Sequence, residues 1–251
     1  MADLFWLSES QMRRIEPYFP LSHGMPRVDD RRVLSGIVFV IRNGLRWRDA
    51  PADYGPPKTI YNRFIRWSRL GVFNKIFAEL AGKGPGPERL MIDATHLKAH
   101  RTAASLLKKG LFPRRIGRTK GGLNSKLHAV CDGEGRPLIM LLSEGQMSDY
   151  KGAALMIDQL PEAKVLLGDK GYDADWFREA LAKRNITPCI PPKANRKIQI
   201  DYDKVLYKQR HKIENMFGRI KDWRRIHTRY DRCANTFMSA IALAATVIFW
   251  L

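Results

Sequence analysis

Along the first 80 positions, apolar residues recur at the three-to-four-residue spacing of helices, and turn signals cut the pattern into separate segments. "SESQMRRIEPYF" opens with Ser8 and Gln11 in capping-box positions. "DDRRVLSGIVFVIRNG" carries acids in its first turn and ends on Gly44, so its spacing predicts a helix between those marks. The prolines of "RDAPADYGPPKT" then interrupt. Helical spacing resumes in "TIYNRFIRWSRLG", where Thr59 is the expected cap and Ile60, Phe64, Ile65 and Trp67 the inward positions. Lys58, Arg63, Arg66 and Arg69 are expected to face outward. A helix-turn-helix arrangement contacting DNA fits residues 1–80, and so does a small helical bundle with a solvated basic face.

The period changes after "AGKGPGPERL", whose Gly-Pro alternation suits neither helix nor strand and marks residues 81–90 as a linker. Strands are expected in "RLMIDATHLKAH" and on both sides of the Asp-Gly-Glu-Gly turn in "NSKLHAVCDGEGRPLIMLLSEG". "DYKGAALMIDQL" reads as a helix, "AKVLLGDKGY" as a short buried strand, "DADWFREALAKRN" as a helix and "ITPCIPP" as a strand stopped by prolines. This order predicts an α/β domain on a mixed sheet over residues 91–251.

Near the end, Leu206, Ile213, Phe217 and Ile220 form an apolar helical stripe. At 100° per residue, Tyr207, Arg210, Glu214 and Lys221 fall within an arc of roughly 60° beside it. The tail "FMSAIALAATVIFWL" is about 15 residues long where a membrane span needs roughly 20, so it reads as a buried core helix.

Charge narrows the partners. The 251 residues carry 44 Lys and Arg against 25 Asp and Glu, a net +19, which calls for a polyanion and nucleic acid first. The opening "MADLFWLSESQMRR" lacks a basic region followed by an apolar run, so a cytoplasmic protein without membrane association is expected. Cys131, Cys189 and Cys233 are far apart with no CxxC pair, which indicates reduced thiols and neither zinc nor disulfides.

Against that cationic background three acids stand out. Asp93 sits inside the hydrophobic strand "MIDAT", Asp169 where "VLLGDKGY" leaves its strand, and Glu214 amid the cations of the late helix. Each alone has an ordinary reading: an edge-strand residue, a cap, and an i,i+4 partner for Arg210. Brought together they would repel and resist ionisation unless cations lay between them. Oxygen-only ligands favour magnesium or manganese, and two such ions are the device for in-line phosphoryl displacement. Arg210 and Lys221 would then clamp a DNA phosphate, with Tyr207 as a stacking or hydroxyl contact.

Tyr207, Arg210, Glu214 and Lys221 in the pattern Y-x-x-R-x-x-x-E-x-x-x-x-x-x-K resemble the signature of bacterial insertion-sequence transposases of families four and five. "MIDATHLKAHR" and "LLGDKGYDAD" resemble the segments bearing the two aspartates in those enzymes. "RRIGRTKGGLNSKLHAVCDGEGRPL" and "ENMFGRIKDWRRIHTRYDR" are similar to the family-five branch. The resemblance implies a ribonuclease-H-like core with an Asp-Asp-Glu triad at Asp93, Asp169 and Glu214. It further implies two magnesium ions, for which manganese would substitute, and a reaction in which transposon ends are cut and the freed 3′-hydroxyls joined to target DNA. The partners implied are double-stranded DNA, as terminal inverted repeats and as target, and a homodimer or larger synaptic assembly. The acids lie 76 and 45 residues apart, which leaves room only for a compact core.

Between Asp93 and Asp132 there is no acid, while Lys98, Arg101, Lys108, Lys109, Arg114, Arg115, Arg118, Lys120 and Lys126 accumulate. The run reads as a solvated face or as a loop tracking phosphates, with Arg114, Arg115, Arg118 and Lys120 as expected DNA contacts. Trp223 is expected either to approach a distorted base or to pack. Asp173 and Asp175 read as cap and first-turn residues. Two other functions remain open on sequence: a nuclease of the same fold without joining, and a DNA-binding regulator derived from such an enzyme.

Overall fold

The computed structural model describes residues 3–21, 29–84, 86–105 and 113–251. Lys108 and Lys109 of the basic run lie outside the described residues. The helices are α1 (Glu9–Ile15), α2 (Asp30–Asn43), α3 (Pro57–Arg69), α4 (Val72–Gly82), α5 (Arg101–Ala104), α6 (Asp149–Met156), α7 (Asp175–Lys183), α8 (Lys204–Tyr207), α9 (His211–Lys221), α10 (Arg224–His227) and α11 (Ala234–Ala245). The principal strands are β1 (Arg89–Ala99), β2 (Gly117–Thr119), β3 (Gly122–Asp132), β4 (Pro137–Glu144), β5 (Val165–Leu167) and β6 (Thr187–Cys189). The expected linker is narrower than 81–90, because α4 runs to Gly82 and β1 starts at Arg89.

The chain divides into two compact units: Met1–Leu80 with His100–Arg114 and Ile220–Leu251, and Ala81–Ala99 with Arg115–Arg219. The boundary at 80 falls where the composition changes. Residues 220–251, expected within the α/β domain, cluster instead with the N-terminal helices.

In the helical unit, Ser8 and Gln11 form the reciprocal capping box of α1, and Gly44 ends α2 in the left-handed region at φ 75°. That glycine has a second reason, since a Cβ there would meet the Arg224 Cβ at 2.8 Å. Helix α3 begins at Pro57, in the first-turn position that needs no N–H, rather than at Thr59. Phe64, Trp67 and Phe73 pack ring to ring in the core, and α11, buried along nearly its whole length, lies on α2 and α3. Truncating Phe64 or Trp67 to Ala should cost about 3–5 kcal/mol. No helix among the described residues is long and apolar enough to cross a membrane.

In the α/β unit β1 and β3 pair antiparallel from Leu90↔Asp132 to Lys98↔Asn124. Strand β4 pairs antiparallel with the other edge of β3, while β5 and then β6 extend parallel from β1. The order β4-β3-β1-β5-β6 is the ribonuclease-H-like arrangement of a mixed sheet flanked by helices. Strand β2, within the basic run expected as a face or loop, pairs antiparallel with Gly122–Asn124 at the start of β3.

Alternation assigns the faces. Leu90 and Ile92 join Val130, Met156, Leu166, Phe177 and Leu181 in the core under α6 and α7. Asp93, the next residue, therefore points to the opposite face. Helix α6 approaches closely because residue 152 is glycine: a Cβ there would stand 2.2 Å from His128 Nδ1. His128 is fully buried, shares a hydrogen bond with Ser143 Oγ at 2.9 Å, and burial pushes its pKa down to about 4. All three cysteines are free.

Candidate active site

Three elements of the α/β unit bring the expected acids into one neighbourhood. Asp93 lies midway along β1, opposite Ala129 of β3. Its Oδ1 accepts from its neighbour's amide, Ala94 N, at 2.7 Å. Asp169 follows β5 after a single glycine and caps the turn Lys170–Tyr172, with Oδ1 accepting from Gly171 N at 2.8 Å. Glu214 sits in the first turn of α9, exposed.

Arg210 connects Asp93 and Glu214. Its Nη1 donates to Asp93 Oδ2 at 2.8 Å, and its Nη2 pairs with Glu214 Oε1. Glu214 is thus the i,i+4 partner of Arg210, and the same guanidinium reaches the strand acid. The segment is held by Arg89 Nη1, which donates to Gln209 Oε1 at 2.8 Å, and by Lys212 Nζ, which donates to Gly133 O at 2.6 Å. Buried Ile213, Met216, Phe217 and Ile220 anchor the rest of α9. The helix is not continuous as expected, because residues Lys208–Arg210 form a 3-10 turn between α8 and α9. That turn changes the angular step between Tyr207 and Glu214.

Electrostatics follow from the crowding. Burial pushes the Asp93 carboxyl above its ordinary range; the Ala94 amide and Arg210 oppose this, and the charge of Asp169 adds to it. Burial works against the Arg210 cation, yet Asp93 and Glu214 outweigh it and hold the guanidinium more firmly protonated. Tyr207 is raised by burial, with Arg210 lowering it and Asp169 raising it, so it belongs to the same cluster.

Two residues at the site escaped the sequence reading. The position a Gly171 Cβ would occupy lies 2.8 Å from Asp169 Oδ1 and 3.6 Å from Asp149 Oδ2, which makes Asp149 a fourth carboxylate beside the second acid. Its other oxygen pairs with buried Lys126 Nζ at 2.7 Å. Tyr172 is buried, its hydroxyl has no partner among the described residues, and burial together with Asp149, Asp93 and Asp169 drives its pKa up. No sequence signal singled out Asp149, since an acid in the first turn of a helix reads as a complement to the helix dipole.

The hard oxygen donors suit magnesium or manganese. Among the described residues no three acidic, histidine or cysteine side chains converge tightly enough to hold an ion. The cation present between Asp93 and Glu214 is the Arg210 guanidinium, which pairs with both.

The expected DNA contacts divide. Lys58 and Arg66 on α3 and Arg118 and Lys120 around β2 are exposed. Arg63 is turned inward, against expectation: its Nη1 pairs with Asp30 at 2.8 Å and its guanidinium lies over Trp67. Arg114 Nη1 donates to Ala104 O at 3.3 Å, and Arg115 pairs with Glu144 at 3.2 Å. Trp223 is 5% exposed, so its indole packs in the core and does not reach out to a base. Lys221 ends α9, its pKa lowered by burial. Asp173 is no cap; burial raises its pKa, but Arg196, the Lys193 amide and Arg178 outweigh that and hold it at about 2.

Comparisons with known proteins identify the family. Residues 84–250 match the family described as the transposase DDE domain, and residues 7–77 match one described as transposases of the IS4/5 family. A protein of Brucella ovis named as a transposase for insertion sequence element IS6501 is 34% identical over 130 residues, 51% of this chain and 99% of the relative. One of Burkholderia cepacia, named for insertion sequence element IS402, is 30% identical over 156 residues, 55% of this chain and 72% of the relative. The fold is shared with the piggyBac transposase in its synaptic complex with hairpin DNA, at a TM-score of 0.54 and 9% identity, over 97% of this chain and 72% of that one. With the DDE domain spanning the acid cluster and the insertion-sequence relatives covered over most of their length, this chain belongs to the DDE transposases of the IS4/5 group.

Proposed function

We propose that this transposase binds the terminal inverted repeats of its element, cuts the ends, and joins the freed 3′-hydroxyls to target DNA at the cluster of Asp93, Asp169 and Glu214. The observation that carries the reading is the single guanidinium of Arg210 engaging both Asp93 and Glu214, acids 121 residues apart in sequence, with Asp169 close enough to perturb Asp93. Asp93, Asp169 and Glu214 would hold two divalent ions, which when bound activate an attacking oxygen and stabilise a leaving one at phosphorus.

The chain's own groups do the remaining work. Arg210 pairs with Asp93 and Glu214 in the absence of metal, offsetting one of their two charges, and, once exchanged away from them, offers a fork that matches a phosphate. Tyr207, half-buried beside Arg210, restricts where that fork can turn. Asp149, neutralised by Lys126, keeps a further charge beside Asp169 without adding net repulsion. The exposed cations on α3 and around β2 supply phosphate contacts that hold the duplex. Two ends are handled by a homodimer or larger assembly in the cytoplasm.

Purified protein is incubated with magnesium, labelled end duplexes and a plasmid target. Joined product supports the proposal. Nicking without joining reduces the protein to a nuclease, and binding alone to a regulator.

A further inference from the structure

Helix α3 buries one side and leaves the other open. Ile60, Phe64 and Trp67 enter the core of the helical unit. On the open side Lys58, Asn62, Arg66 and Arg69 are all exposed. At 100° per residue they fall within an arc of about 80°. Among the described residues none of the four side chains has an ion pair or a hydrogen bond.

The stripe differs from an ordinary solvated face. Such a face mixes signs, as the exposed Asp175, Glu179 and Lys183 of α7 do, because acids one turn before cations support a helix. Helix α3 contains no acid at all. The helix is also firmly held. It starts at a Pro56-Pro57 pair, and Arg63, one residue beyond the stripe, turns inward to Asp30 at 2.8 Å and lies over the Trp67 ring. A rigid helix with three unpaired cations on one face complements a polyanion.

The order of residues along the stripe narrows the polyanion to duplex DNA. Asn62 stands at the middle of the arc, with Lys58 one turn before it and about 40° to one side, and Arg66 one turn after it and about 40° to the other. The major groove of B-DNA admits one α-helix between two walls of phosphate, whereas that of duplex RNA is too deep and narrow for side chains to read. A helix lying in the DNA groove on this face turns Lys58 and Arg66 toward opposite walls and Asn62 toward the floor, where base edges are exposed. A carboxamide carries a donor and an acceptor side by side, the complement of adenine N7 and N6.

We propose that α3 enters the major groove of duplex DNA with Asn62 reading an adenine through paired hydrogen bonds, while Lys58 and Arg66 hold the flanking phosphates. This assigns sequence reading to Asn62, a residue outside the cations that hold the duplex. It rests on the reading that DNA is the partner.

The test uses the full chain in EDTA, so that cutting and joining play no part. Duplexes with a random core are selected for binding to the unaltered protein and to Asn62→Ala, and the two consensus sequences are compared. The unaltered protein should select an A·T pair that the variant no longer prefers, with the other positions kept. Replacing that adenine by 7-deazaadenine, which removes N7, should weaken binding of the unaltered protein at least about fivefold and leave the variant unaffected. Lys58→Ala and Arg66→Ala should weaken all sequences alike and lower the salt slope by about 0.9 each. Asn62 is exposed, and unchanged circular dichroism checks folding. No consensus, the same consensus from both proteins, or an equal response of both to 7-deazaadenine overturns the inference. A consensus that depends on Asn62 without joining of ends leaves it standing while the transposition reading fails, and joining with a consensus indifferent to Asn62 does the reverse.

Discussion

Arg210 Nη1 donates to Asp93 Oδ2 at 2.8 Å, and this pair joins a strand acid to a helix cation 117 positions later in the chain. The same guanidinium reaches Glu214, so the cation that neutralises the site is a side chain. Replacing it should change how the acids treat added ions. Arg210→Gln is expected to bind manganese several-fold tighter, because the carboxylates lose a competing cation. Calorimetric titration without DNA reads this directly, and unchanged or weaker affinity would remove Arg210 from that role.

Asp93 gives the site a pH dependence with a definite sign. Its folded carboxyl titrates above the ordinary range, chiefly through burial, so the folded state holds a proton that the unfolded chain has released. In the metal-free protein, stability is therefore expected to fall as pH rises from the ordinary carboxylate range through the raised value. Asp93→Asn should flatten this slope in denaturant titrations at stepped pH.

Asp173 should behave in the opposite way. Its side chain is 1% exposed, takes two arginines and a backbone amide, and titrates at about 2. Its contribution is present above the unfolded carboxylate value and lost as pH falls toward about 2. Asp173→Ala leaves Arg178 and Arg196 without that carboxylate and should cost about 3–5 kcal/mol by chemical denaturation.

Gly152→Ala tests the packing of α6 on the sheet. The added methyl would meet His128 Nδ1 at 2.2 Å, and the ring is fully buried. A loss of about 1–3 kcal/mol is expected, and since each kcal/mol lowers Tm by about 2–4 °C at this size, a melting curve resolves it.

The exposed cations around β2 should read out as counterion release. Arg118→Ala and Lys120→Ala are each expected to reduce the slope of log affinity against log salt by about 0.9 if they contact phosphates. A salt series with end duplexes measures it, and an unaltered slope assigns both to solvent.

Much of this was legible because the chemistry leaves marks that packing cannot imitate. An aspartate among Met91, Ile92 and Leu97 has a desolvation cost, so Asp93 advertised itself. Glu214 was readable from its spacing to Arg210. Element order followed from period and turn residues, down to the capping box at Ser8 and the left-handed Gly44. What escaped depends on tertiary contacts. Arg63 sits at an outward-looking position of α3, yet Asp30 and Trp67 draw it inward. Trp223 carries both an apolar body and a polar edge, and only packing decides which prevails. Asp149 looks like any first-turn acid until the turn at Gly171 brings Asp169 beside it. The grouping of residues 220–251 with the N-terminal helices has no local signature at all.

The central claim is that acids remote in sequence share divalent ions. It is tested most directly by replacing magnesium with ferrous ion in the presence of end DNA and mapping where locally generated hydroxyl radicals cut the polypeptide. Scission should cluster near Asp93, around Asp169 and in the first turn of α9, and it should vanish in Asp93→Ala. Cleavage confined to other segments, or unaffected by that substitution, would contradict it.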